Sequence, residues 1–351
     1  VSRRATLARR LGSVHPFEWA AVAGTVLGVG FLRWRGLSID RVAVAYTVPP
    51  LIVPVAKALA LGVGLQALYL AATSQSLPIG YLRRVGTWPW LLLTLRIGTV
   101  CLLFTFTYFW MKVSVPLVNW TLWDPELWRL DRILHLGLSP SIFLTALVDG
   151  TVLAPILERW YGWWIVSMML GLGFFCALPD ALERRRFMLA TVLLWIVGAW
   201  LYTALPAVGP AYTHPEVWHE LQSAMPSARD AQATLWENYQ RVLKGRTEPL
   251  RQFNPTRGVA AFPSLHVAGH WLLMLWAWRA ARPLFVPFAI GTLLTFLGSI
   301  VTGWHYAVDG YAGILLAQGV WWVGLKLEAG ERPLSPRGGG PAPESPGPAP
   351  P

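Results

Sequence analysis

Two histidines and one carboxylate fall in two short motifs, Ala261-Phe262-Pro263-Ser264-Leu265-His266-Val267 and Gly303-Trp304-His305-Tyr306-Ala307-Val308-Asp309. His305 and Asp309 are four residues apart, so on a helix they share a face and can touch. A carboxylate that accepts from one imidazole nitrogen fixes the tautomer and leaves the other nitrogen free as a nucleophile. Asp309 in an apolar span would be costly without such a role. His266 follows Pro263-Ser264, a favourable helix opening with Ser264 as a cap, and free amides at a helix N-terminus suit a phosphate. A second histidine there is able to protonate a leaving oxygen and later activate an acceptor. The chemistry expected is phosphoryl transfer. His270 leaves a metal site of His266, His270, His305 and Asp309 open as an alternative. Against it, one more helical turn carries His270 deeper into the apolar segment and no cysteine joins the cluster, so no metal or other cofactor is expected. His15, His135, His214 and His219 read as surface or interfacial residues.

The elements that must hold these groups are membrane helices. The chain of 351 residues is 54% hydrophobic and 13% charged, and it repeatedly runs through roughly 20 apolar residues, the length that spans a bilayer. Spans are expected at about Phe17 to Leu32, mainly after Pro50 to Ala72, Trp88 to Val113, Trp160 to Leu178, Phe187 to Pro206, Ser264 to Ala281, Leu284 to Thr302 and His305 to Lys326. The first, preceded by Arg3, Arg4, Arg9 and Arg10, reads as a signal anchor. Arg96, inside the third, is expected to pair in the interior. Leu127, Leu130, Ile133 and Leu134 keep helical spacing beside Asp131 and Arg132, the pattern of an amphipathic helix lying on the membrane. Residues 141–148 are too short to span and read as re-entrant or buried. Clustered tryptophans such as Trp88, Trp90, Trp163, Trp164, Trp321 and Trp322 suit the interfacial belt.

Three divisions follow: a basic segment over 1–15, one transmembrane catalytic domain over 16–330, and a Pro- and Gly-rich tail over 331–351 expected to be disordered. Within the domain, 207–262 is a polar insertion with a surface helix between Pro226 and Leu243, sized to shape access to a site. Lys and Arg exceed Asp and Glu by 29 − 18 = 11, an excess that in a membrane protein points to cytoplasmic loops and anionic lipid rather than nucleic acid. Arg184 to Arg186, Arg279 with Arg282, and Lys326 with Arg332 and Arg337 mark one face as cytoplasmic, which places both motifs on the extracytoplasmic face. The connection with Arg33, Arg35 and Arg41 falls against that rule. Cys101 and Cys176 both lie in apolar segments, so neither a disulfide framework nor a zinc-ribbon spacing is present.

Phe262-Pro263-Ser264-Leu265-His266 and Gly303 to Asp309, followed by Gly313, resemble the second and third motifs of the type 2 phosphatidic acid phosphatase superfamily. The wording of the first is most similar to the inositol phosphorylceramide synthase branch, and Tyr202 to Tyr212, with Pro206 and Pro210, is similar to that branch's Pro-rich first motif. The resemblance implies an all-α polytopic bundle, about eight transmembrane helices with a six-helix phosphatase-like core. It implies that His305 attacks phosphorus, Asp309 orients it, and His266 is the general acid and base. Ser264, Tyr202, Pro206 and Tyr212 would lie near the substrate. The phosphatases carry Lys and Arg in motif one and Arg six residues before the third-motif His; here no basic residue occurs from Tyr202 to Tyr212, and Ser299 holds the other position. A phosphoryl group in transfer still needs its charge offset, for which Arg257 is the first candidate and Arg251 and Arg96 the next. The expected activity is transfer of a phosphoryl-bearing head group from a phospholipid or lipid phosphate to a lipid alcohol, with hydrolysis as the alternative. A non-catalytic lipid-binding or transport protein would not need the His, His and Asp set. A channel would need more polar residues along its spans.

Overall fold

The computed structural model describes residues 14–74, 78–245 and 252–327. The basic positions Arg3, Arg4, Arg9, Arg10, Arg251, Arg332 and Arg337 and the 331–351 tail lie outside the described residues. Among these, every regular element is helical, as the sequence led us to expect. In order they are α1 (Pro16–Trp34), α2 (Arg41–Ser74), α3 (Ile79–Val85), α4 (Trp88–Val118), α5 (Asp124–Leu134), α6 (Pro140–Val148), α7 (Leu153–Gly162), α8 (Trp164–Cys176), α9 (Ala181–Ala204), α10 (Pro210–Thr213), α11 (Pro226–Lys244), α12 (Leu265–Ala280), α13 (Phe285–Val301) and α14 (Ala307–Leu327). Local chemistry starts several of them. Pro16 opens α1, and Glu18 accepts the His15 amide at 2.7 Å; Asp180 accepts the Leu182 amide at the start of α9. These satisfy amides that a first helical turn leaves without partners.

Helices α2, α4, α9 and α13 with its preceding 3-10 turn are long and apolar enough to cross a bilayer, and the α6–α7 pair, bent by 118°, makes a fifth if it is one broken span. The chain is an integral membrane protein. A helix stands at each of the eight expected places, but α8 and α12 have only 13 and 16 residues. The expected fourth span is broken at Trp163, where α7 ends and α8 begins. The second span starts at Arg41 rather than after Pro50 and runs through Pro49, Pro50 and Pro54, residues that transmembrane helices tolerate better than soluble ones. The last helix begins at Ala307, so His305 precedes it.

Helix α9 sits at the centre, packed against α1, α4, α8, α12 and α14. Phe175, Phe187, Trp276 and Ile97 are fully buried around it. Helices α2 and α8 meet backbone to backbone: a Cβ on Gly62 would lie 2.1 Å from the Gly173 carbonyl, and one on Gly173 would lie 2.0 Å from the Ala58 oxygen. Small residues permit that approach, which drives helix association in lipid.

Several charges and rings depart from expectation. Arg184 is buried, donating to the Cys176 carbonyl and the Thr94 hydroxyl and stacking 4.4 Å from Trp90; it belongs to the first turn of α9 rather than to a loop. Trp90 is therefore packed inside, as are Trp110 and Trp276, whereas Trp88, Trp163 and Trp322 stay exposed. Arg279 holds Glu183 through two bonds of 2.6 and 2.8 Å, tying the end of α12 to the start of α9. Arg279 is thirteen residues from His266, about 20 Å along the helix, so this basic end and the histidines are at opposite ends of the bundle. Arg35 explains its own position: it donates at 2.7 Å to the Val118 carbonyl, completing the C-terminus of α4 where a cation is favoured. Arg96 pairs with Glu18 of α1, the interior pairing expected for it. His15 is buried, its ring 3.3 Å from Arg185.

Candidate active site

Three separate stretches are zipped together by backbone hydrogen bonds at one end of the bundle. Ala261 donates to Ala207 at 2.8 Å, Ala211 to Gly303 at 3.0 Å, and Ser264 to Asp309 at 2.9 Å. These join the first, second and third motifs. Gly313 makes the last contact possible, because a Cβ there would lie 2.4 Å from the Ser264 oxygen. Helix α13 ends on Gly303, which is left-handed at φ +76°. The amides of Trp304 and His305 then fold back onto the Ser299 carbonyl at 3.0 and 3.1 Å, and the chain turns His305 toward α12. Ser299 thus serves through its backbone at the position where the phosphatases carry arginine.

His266 lies in the first turn of α12, whose amide at Val267 is accepted by the Ser264 hydroxyl at 3.4 Å. Its Nδ1 is 3.1 Å from His305 Nε2 and 3.0 Å from the Tyr161 hydroxyl. Trp164 meets the same ring edge-on at 4.2 Å. His305 Nδ1 is 3.3 Å from Asp309 Oδ2, which also accepts the Tyr306 amide at 2.9 Å. Asp309 is fully buried, and among the described residues its Oδ1 has no partner. With a proton on His305 Nδ1 toward Asp309, Nε2 keeps its lone pair and faces His266. His270 is engaged elsewhere, Nδ1 at 3.1 Å from the His266 carbonyl and Nε2 at 2.7 Å from Ser167. Among the described residues no group of three or more His, Cys, Asp or Glu side chains is arranged to hold a metal ion.

Helix α5 holds this arrangement from outside. Asp124 accepts the amides of Val208 and Gly209 at 3.0 and 2.8 Å and the Tyr306 hydroxyl at 2.8 Å. Asp131 accepts the amides of Ala307 and Val308 at 2.9 and 2.7 Å. It caps α14 from a neighbouring helix. Burial pushes both carboxyls above the usual carboxylate range, and the bonds from these amides pull the other way. The inward face of α5 is therefore Asp124, Leu127 and Asp131, while Leu130, Ile133 and Leu134 are exposed. The stripe read from sequence is thus split: Leu127 turns inward with the two carboxylates, and Leu130, Ile133 and Leu134 face out. Replacing Asp131 with Ala strands two buried amides and is expected to cost about 1–3 kcal/mol, measured by unfolding in detergent. Asp131→Asn, which keeps an acceptor oxygen, is expected to lose less; unchanged stability in the alanine variant removes the capping role.

Both imidazoles open on a pocket of about 320 Å³, lined also by Lys112, Tyr161, Trp164, Thr256, Gly258 and Val208. Helix α11 forms part of its roof with Ser227, Ala228, Ala231 and Leu235, so the polar insertion contributes to the pocket lining. Glu158, the carboxylate in the lining, is taken up by the Ala228 amide at 2.8 Å and fastens that roof to α7. Lys112 of α4 has its Nζ over the rings of Tyr108 and Tyr202 at 5.8 and 5.6 Å, and among the described residues no carboxylate pairs with it. It lines the same pocket as His266 and His305.

The structure brings His266, His305 and Asp309 together, but Ser264, Arg257, Tyr202, Pro206 and Tyr212, expected near substrate, do not line the pocket that the two imidazoles share. Arg257 is exposed on a 3-10 turn, Pro255–Arg257, and lines a separate surface pocket with Asn238 and Arg241. Tyr212 stacks on Trp236 at 4.7 Å and donates to Gln232. Pro206 gives its carbonyl to the Trp123 amide, and Ser264 is buried as a helix cap. Tyr202 is buried and presents its ring to Lys112. Arg96 is at the opposite end with Glu18. Lys112 went unnoticed in sequence although a lone lysine inside an apolar span is itself a functional signal.

Comparison with curated proteins and with solved structures found no match. A family model described as the PAP2 superfamily matches residues 125–323, more than half of the chain, from α5 into α14 and across all three motifs. The chain therefore belongs to the PAP2 superfamily, and its function is of that family's lipid phosphatase or phosphotransferase type.

Proposed function

We propose that the protein is a membrane phosphotransferase that cleaves a lipid phosphate ester through a phosphohistidine and passes the phosphoryl-bearing head group to a lipid alcohol, as in the inositol phosphorylceramide synthase branch. The observation that carries this reading is the chain Asp309, His305, His266, in which the free nitrogen of His305 faces a second histidine across 3.1 Å. His305 Nε2 forms a bond to phosphorus as the bond from phosphorus to the lipid oxygen breaks. The proton on His266 goes to that oxygen. In the second half, His266 takes the proton of the incoming alcohol, whose oxygen bonds to phosphorus as the bond to His305 breaks. Asp309 holds His305 oriented and balances its charge while it carries the phosphoryl group. Lys112 offsets the charge on the phosphoryl oxygens, the role first given to Arg257 from sequence.

The wording of Phe262-Pro263-Ser264-Leu265-His266, most similar to the inositol phosphorylceramide synthase branch, supports transfer over hydrolysis. Positive charge collected at the far end of α9 and α12 supports an extracytoplasmic site. Purified protein given a phospholipid and a lipid alcohol should form the exchanged product in proportion to the alcohol. Phosphate release that is unchanged by the alcohol would instead make the protein a hydrolase.

A further inference from the structure

We propose that an apolar chamber beneath the histidines receives the hydrocarbon chain of the substrate lipid, and that helices α2 and α4, which precede the segment matched by the family model, build two of its walls. The chamber measures about 410 Å³ and shares Lys112, Trp164, Thr256 and His266 with the pocket that both imidazoles line. The two volumes therefore meet at the groups that would hold and cleave the phosphate ester. Below that junction the lining turns apolar, with Leu51, Val55, Phe104, Met168, Leu172 and Leu273 among its residues.

Its shape has a local cause. Helix α2 is pinned to α8 where Ala58, Gly62 and Gly173 touch. Over about one to two and a half turns before that contact, prolines at 49, 50 and 54 remove helix amides, and there Leu51, Pro54 and Val55 line the chamber. The depth also has a meaning. From Lys112 to Cys101, both lining residues of α4, the helix descends eleven residues, about 16 Å. That is close to half of a hydrocarbon core of about 30 Å, the depth of one leaflet. An empty apolar space of this kind forfeits contacts along its walls, and a chain whose phosphate sits at Lys112 fills it in the orientation it already has in the bilayer.

The inference rests on the phosphoryl-transfer reading, and its test separates the two. Leu51→Trp on α2 and Thr105→Trp on α4 fill the chamber from two helices, and Ile52→Trp, on the exposed face of α2, is the control. The substrates are phosphatidic acid with long chains and the same head group with short, water-soluble chains. Both filled variants should lose at least about tenfold in kcat/KM for the long-chain lipid and keep wild-type turnover of the short-chain one, which also shows that they fold. Equal loss on both substrates, or loss on neither, overturns the chamber. A phosphatidic acid with a diazirine at its chain terminus provides a readout that needs no turnover: labelling should fall on the α4 and α8 walls near Phe104 and Leu172, and labelling spread over the lipid-facing surface alone overturns it. Wild-type protein that turns over neither substrate but is labelled in the chamber would reject the reaction and keep the binding site.

Discussion

His305→Ala is expected to lower turnover by at least about a thousandfold, because it deletes the atom proposed to bond to phosphorus and nothing nearby replaces it. His266 is within 3.1 Å, but it has no carboxylate behind it: its Nδ1 is shared with Tyr161 and its ring is fixed by Trp164. The fold should survive, since the backbone amide of His305, and not its ring, makes the bond to Ser299 that closes the turn. His266→Ala should fall by about 10²- to 10⁴-fold, the usual worth of one general acid and base, and should lose less on substrates with a good leaving group. Turnover in lipid vesicles against a melting curve for each variant checks both. A His305→Ala protein that melts like wild type and retains activity rejects the nucleophile.

Lys112→Met is expected to reduce kcat/KM by about a hundred- to a thousandfold, the loss seen when one preorganised group stops stabilising charge in a transition state. Methionine keeps the length and apolar stem of lysine and removes the charge, so the packing against Tyr108, Tyr202 and Gly258 is preserved. Lys112→Arg should recover part of the loss. Arg257→Met, on its separate exposed turn, should stay within a few-fold of wild type by the same measure. If Arg257→Met is the crippled variant and Lys112→Met is not, the phosphate is held from outside the pocket.

The motifs were legible because their chemistry is local: His305 and Asp309 are four residues apart, and Ser264 and His266 open a helix. The sequence also placed a helix at each apolar run, since burying backbone amides in lipid leaves few other choices. What it did not show depends on which face of a helix turns inward. Asp124 and Asp131 sit two turns apart beside Leu127, and the leucines on the other side of α5 formed the more conspicuous stripe. Only the tertiary fold shows that the carboxylates meet the amides of Val208, Gly209, Ala307 and Val308. Lys112 is likewise distant in sequence from every motif and lies 154 residues before His266 (266 − 112). Arg257 drew attention through adjacency to motif two, yet adjacency along a chain does not set direction. Tyr161 and Trp164, on either side of a break in an expected single span, reach His266 only through the tertiary fold.

The proposed phosphohistidine at His305 can be trapped directly. Protein incubated with a head-group-labelled lipid in the absence of acceptor, quenched and digested, should yield a labelled peptide containing His305, with the acid-labile and base-stable bond of a phosphohistidine. The label should leave on addition of a lipid alcohol and should be missing from His305→Ala. Full turnover with no labelled peptide, or a label that resists acid, would contradict the account.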